Sequence, residues 1–203
     1  MKNIPAFFIT AFLITLSCNE KDPKKEEPVA VESASADGAV ITKTENRVMD
    51  TLKKSIRAYV KNKIGPADIK IAYHSPAVRN RIIWGGLVPF DQIWVTGAHM
   101  ATSIETNRDF IIDKKKIPAG KYALFTIPGR AEWTIIINKN WNQHLADEYN
   151  EKDDVLRWKM KPDTLSYVQE RLMYDISQSA QQEGNIMMIW EKLKLLIPVR
   201  IAD

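Results

Sequence analysis

The chain has 203 residues, with 29 Lys and Arg against 25 Asp and Glu, a formal net charge of +4, and 45% hydrophobic residues. That composition excludes a wholly disordered polymer, and a single cysteine excludes an internal disulfide, so any fold rests on its apolar core. The small basic excess contains no basic run interleaved with aromatic residues, which argues against nucleic-acid binding.

The first segment, 1–17, reads as a signal peptide. Lys2 gives a positive start, residues 4–16 form an apolar run, and Leu16-Ser17-Cys18 forms a small-residue exit. A run of about thirteen residues is shorter than the roughly 20 a membrane-spanning helix needs, and this order of charge, apolar middle and small exit marks a secretory signal that is removed. Cys18, the sole cysteine, then reads as the lipid-attachment residue of a bacterial lipoprotein, its thiol alkylated by a diacylglyceryl group and the new amino terminus acylated. Thr15 stands where an aliphatic residue is commoner, which leaves an ordinary cleaved signal with an incidental cysteine as the competing reading. At about 0.8 kcal/mol per buried CH₂, several acyl chains hold a protein on a membrane. The expected location is the bacterial cell envelope, facing the periplasm or the surface, with the membrane as a partner through the anchor.

Residues 18–45 read as a lipidated flexible tether. From residue 19 onward they carry four Lys and seven Asp or Glu and no aromatic residue, too little apolar surface to offset chain entropy. Such a stretch has an end-to-end distance of roughly 30 Å. From Arg47 onward the chain has 24 basic and 18 acidic residues, net +6. Residues 46–203 are long enough for one domain burying roughly 70% of its unfolded surface, and a monomer is expected.

Within that domain, Val48, Leu52, Ile56, Tyr59, Val60 and Ile64 follow a helical stripe, Asn46 fits as its cap, and Gly65-Pro66 would stop it. An N-terminal helix over 46–63 is therefore expected, with a strand as the competing reading because Val, Ile and Tyr cluster at 56–60. After Pro66 the pattern turns to β-type runs bounded by turn residues, at 68–73, 81–88, 92–96, 102–106, 110–112, 121–127, 132–138, 155–161, 171–177, 185–190 and 192–199. Residues 140–150, with Leu145 and Ala146 amid polar neighbours, read as a short helical insertion. The fold class expected is mainly β: an antiparallel β-sandwich or flattened barrel with an N-terminal helix and a short helical insertion.

The run Ser75-Pro76-Ala77-Val78-Arg79-Asn80-Arg81-Ile82-Ile83-Trp84-Gly85-Gly86-Leu87-Val88-Pro89-Phe90 resembles the core motif of bacterial domain-of-unknown-function family 2911. Ile93-Trp94-Val95-Thr96-Gly97-Ala98, Ala101-Thr102, Ile117-Pro118-Ala119-Gly120-Lys121-Tyr122-Ala123-Leu124-Phe125-Thr126-Ile127-Pro128-Gly129 and Glu132-Trp133-Thr134-Ile135-Ile136-Ile137-Asn138 follow the family pattern in order. The resemblance spans about 66–201 and implies an exported, often lipid-anchored, mostly β protein without an established activity. It also marks departures: Val95 replaces a usual arginine, and His99-Met100 replaces a usual Asn or Asp followed by Glu. With those charges gone, a polar site there either uses His99 in their place or takes a less charged ligand.

No complete catalytic or cofactor signature is present, and no cofactor is expected. His74, His99 and His144 are the only histidines and no two have the close spacing of metal ligands, so no metal site is expected. His144 and Glu148 would share a face if the insertion is helical, but the acidic run near them lacks the alternation and central glycine of a calcium loop. Ser75 adjoins His74, yet neighbours on an extended chain point to opposite faces. Aromatic residues are the better pointer: Trp84, Trp94, Tyr122, Phe125, Trp133, Trp158 and Trp190 fall on expected strands, most of them as core.

The binding candidates are Arg81, Trp94, Thr96, His99, Thr102, Glu105 and Tyr122. Gly97 permits a close turn after Trp94 and Thr96, and His99 then lies on the connection to the strand bearing Thr102 and Glu105. Three functions stay open. The leading one is a binding or envelope-associated module rather than an enzyme, with a carbohydrate or peptide ligand; the others are a hydrolase-like enzyme built from His99, Glu105 and Arg81, and a structural protein that binds another envelope protein.

Overall fold

In the computed structural model, residues 29–31 and 54–202 are described. The signal segment, Cys18, most of the tether and residues 46–53 lie outside them. Eleven strands form two sheets: β1 (Val29–Val31), β2 (Ile56–Ile64), β3 (Ala67–Ser75), β4 (Thr102–Thr106), β7 (Gly120–Ile127), β8 (Trp133–Asn138) and β9 (Asp154–Met160) in one, and β10 (Asp163–Gln178), β11 (Glu183–Ile201), β5 (Phe110–Ile112) and β6 (Lys115–Ile117) in the other. All neighbouring pairs are antiparallel except β1, which runs parallel to β2 with Val29 opposite Ala58. Both sheets contribute to one apolar cluster, so the chain is mainly β with two sheets around a shared core and no closed barrel.

Period-two patterning builds that core. On β3, Ala67, Ile69, Ile71 and Tyr73 point inward, while Asp68, Lys70 and His74 alternate outward. Each fully buried Ile or Leu contributes roughly 1.5–3 kcal/mol of transfer free energy. On β11, Ile186, Met188 and Trp190 are buried at even positions and Leu195, Ile197, Val199 and Ile201 at odd ones. The phase slips at Glu191, which has φ +55 and pairs with Gln169 where the β10–β11 register shifts. The irregularity there goes with the change of phase by which both halves of a 19-residue strand face the core.

Among the described residues neither expected helix forms. Residues 56–64 are a strand, because Ala58, Val60 and Ile64 alternate inward, and Gly65-Pro66 is a two-residue hairpin loop joining Ile64 to Ala67 rather than a helix stop. Gly65 takes φ +54 at the first loop position, as a II′-type turn requires. Residues 140–150 form an irregular loop: Leu145 has φ +48, and its N–H donates to the His99 carbonyl at 2.6 Å instead of to a helical partner. A single 3₁₀ turn, Glu151–Asp153, follows.

Two expected strands are also loops. Residues 81–88 coil around Gly85, at φ +80, with the Val88 N–H bonded to the Ile83 carbonyl and the Gly85 N–H to the Val88 carbonyl. Residues 92–96 keep a single bridge, Trp94 to Thr126, because Asp91 and Thr96 at φ +59 and +52 end the extended stretch on both sides. Conversely, β6 went unexpected: its Lys115-Lys116-Ile117 carries one apolar residue, and its pairing with β5 comes from Asp113 and Lys114, both at positive φ as an I′-type loop needs.

Candidate functional site

The long connection between β3 and β4, residues 76–101, lies at one end of the sheets and carries the chemistry. Its Trp84 and Trp94 meet Trp133 of β8 and Trp190 of β11. Trp84 packs edge-on to Trp133, Trp190 and Trp94 with ring centroids 4.7, 5.6 and 5.7 Å apart, and Trp94 stacks on Trp190 at 5.8 Å and 22°. Trp133 and Trp190 are 1% exposed, whereas Trp84 and Trp94 are half-buried. Edge-to-face pairs add about 0.5–1.5 kcal/mol each beyond area burial, so the cluster clamps the loop to both sheets.

Beside this cluster opens a cleft of about 310 Å³, lined by Arg81, Leu87, Val88, Trp94, His99, Leu145 and Trp190 among others. Its size is at the lower end for small-molecule sites, and its mostly apolar wall with a few polar groups is the usual composition of one. The polar groups are cationic or proton-donating. Arg81 donates through Nε to the Val78 carbonyl at 3.2 Å and through Nη2 to the Ala77 carbonyl at 2.6 Å, which holds the guanidinium at the rim. The Trp94 Nε1–H donates to the Gly97 carbonyl at 3.0 Å and that of Trp84 to Glu191 Oε2 at 3.2 Å, but the buried Trp190 Nε1–H has no acceptor. An unmade bond of that kind costs about 1–3 kcal/mol.

The loop is held in a strained shape. Thr96, His99, Leu145 and Glu191 all have positive φ, between +48 and +60, and all line or adjoin the cleft. Each non-glycine residue in that region costs of order 1–3 kcal/mol and persists only where its surroundings enforce it. Gly97 between them cannot be replaced cheaply, since a Cβ would stand 2.8 Å from Thr102 Oγ1. The His99 ring meets His74 edge-on, centroids 5.3 Å apart. Burial, then His99 and Arg57, holds the His74 imidazole below its ordinary value of 6.5.

The structure therefore brings Arg81, Trp94 and His99 to one cleft. Thr96 and Thr102 are buried behind it: Thr102 Oγ1 donates to the Thr96 carbonyl at 3.0 Å, and Thr96 Oγ1 contacts Thr126 Oγ1 at 3.2 Å. Glu105 and Tyr122 are elsewhere. Glu105 is exposed in a separate depression with Lys61, Lys70 and Lys121, and Tyr122 faces the core, edge-on to Phe110, its hydroxyl donating to the Pro118 carbonyl at 3.0 Å. The His99–Glu105–Arg81 constellation is not assembled. His144 bonds Asp147 at 3.1 Å on the surface rather than pairing with Glu148 along a helix.

Lining residues the sequence reading left out of the site include Leu87, Leu145 and Trp190. Trp190 keeps the inward phase of Ile186 and Met188, and the register shift at Glu191 follows it.

No curated protein and no solved structure matches this chain. Residues 55–199, most of the chain, match the family described as Protein of unknown function (DUF2911), reaching back to include β2 ahead of the motifs that carried the resemblance. The chain belongs to the DUF2911 family.

Proposed function

We propose that this chain is an exported binding module of the bacterial cell envelope, lipid-anchored through Cys18, whose ligand seat is the tryptophan-walled cleft at the β3–β4 connection. The cleft carries the reading: a half-buried Trp94 beside Arg81 and His99, on a loop held in strained geometry by two sheets, is a preorganised concave surface. Binding is favoured over hydrolysis because no carboxylate among the described residues lines the cleft, so none of them orients His99 there as an acid. Carbohydrate and peptide are the ligand classes that suit an aromatic wall at an envelope.

Titrating the full chain with oligosaccharides and short peptides while following tryptophan fluorescence tests the seat. A ligand response that is lost in Trp94→Ala supports it, and an undiminished response in that variant places binding elsewhere. The anchor is tested by fractionating cells expressing Cys18→Ser: release to the soluble fraction, or accumulation of uncleaved precursor, is expected, and unchanged, processed, membrane-bound protein contradicts it.

A further inference from the structure

Among the described residues the cleft presents donors and no carboxylate. Trp190 lines it, is 1% exposed, and has its indole N–H sealed from solvent with no acceptor among those residues. Arg81 commits Nε and Nη2 to backbone carbonyls, which orients the guanidinium while leaving Nη1 available. His99 adds an exposed imidazole on the same wall. Glu191, next in the chain to Trp190, has its carboxylate turned to the Trp84 indole at 3.2 Å and to the Lys192 N–H at 2.6 Å, so it answers neither Arg81 nor Trp190. The lining also includes the apolar Leu87, Val88 and Leu145.

Resting on the reading of this cleft as a ligand seat, we propose that its ligand is a small organic carboxylate with an apolar body, the carboxylate at Arg81 and His99 and the body against Leu87, Val88 and Leu145. A charged acceptor makes the stronger hydrogen bonds to such donors, and a guanidinium matches a carboxylate in geometry as well as charge. A neutral sugar hydroxyl would leave the guanidinium charge unanswered. A cationic ligand would meet like charge. The same chemistry is offered by a free acid and by the C-terminal carboxylate of a peptide ending in an apolar residue.

The test uses phenylacetate, phenethyl alcohol and phenethylamine, which share one body and differ in charge, titrated calorimetrically into the full chain. The Trp190 indole N–H resonance, assigned by its loss in Trp190→Phe, reports the contact. Phenylacetate is expected to bind at least about tenfold more tightly than the alcohol, to shift the Trp190 resonance, and to lose that preference in Arg81→Gln. N-acetylphenylalanine binding more tightly than phenylacetate assigns the site to a peptide terminus, and weaker binding assigns it to a free acid. Alcohol or amine binding as tightly as phenylacetate, with the Trp190 resonance still responding, overturns the carboxylate and leaves the seat standing. Failure of all the probes to bind overturns both.

Discussion

The Tyr174 hydroxyl on β10 donates a 2.7 Å hydrogen bond to the Thr96 carbonyl, so the second sheet holds the loop that shapes the cleft. Thr96 needs holding: it is β-branched, fully buried and at φ +52, a combination the backbone adopts only under constraint. Its carbonyl also accepts from Thr102 Oγ1. Tyr174→Phe leaves that second bond in place and is expected to cost about 1 kcal/mol by urea unfolding, while weakening any ligand of the cleft. Unchanged stability in this variant would show that the Tyr174 contact does not restrain Thr96.

His99, exposed at φ +60, separates backbone strain from side-chain chemistry. Asn tolerates the left-handed region and Val does not. His99→Asn should keep near-normal thermal stability and His99→Val should lose about 1–2 kcal/mol, although both remove the imidazole from the cleft and should weaken ligand equally. Equal stability of the two variants would mean that the loop relaxes and stores no strain.

Burial of His74, with His99 at its edge, sets a pH dependence. His74 has a folded-state pKa below its ordinary 6.5, through burial first, then His99 and Arg57, so the unfolded chain binds the proton more readily. Stability is then full above about pH 6.5 and falls as the pH drops from there through the lower folded value. Asp109, held below its ordinary 3.8 by the Ala119 N–H and by Lys116, titrates in a separate, more acidic window. Thermal melts from about pH 7.5 to about pH 5.5 should show this loss, and His74→Gln should flatten it. A profile as steep in His74→Gln as in the parent would remove His74 as the cause.

Strand patterning made most of the sheet legible, since β3 alternates and β7 and β8 are short, nearly continuous apolar runs bounded by turn residues. The helix expected at 46–63 arose because Ile56, Tyr59, Val60 and Ile64 fit a helical stripe as well as a strand, and Gly65-Pro66 punctuates either element. What separates the two is pairing with β3, a contact made through the fold. The cleft was half legible for a similar reason. Arg81, Trp94 and His99 share one connection and meet as neighbours of the same loop. Glu105 was placed with them against the alternation of its own strand: Thr102 and Ile104 are buried with Thr106, and Glu105 faces out. Trp190 lies far along the chain, on the second sheet, and reaches the cleft only through the packing of that sheet against the loop.

The direct measurement of the central claim is a fragment screen of aromatic, sugar and peptide-like molecules read at the six tryptophan indole N–H resonances of the chain. The cleft account predicts that fragments which bind move Trp94 and Trp190 together and leave Trp141 and Trp158 in place. Hits that move Trp141 or Trp158 while the two cleft tryptophans stay fixed, or a screen in which neither of the two responds, would contradict it.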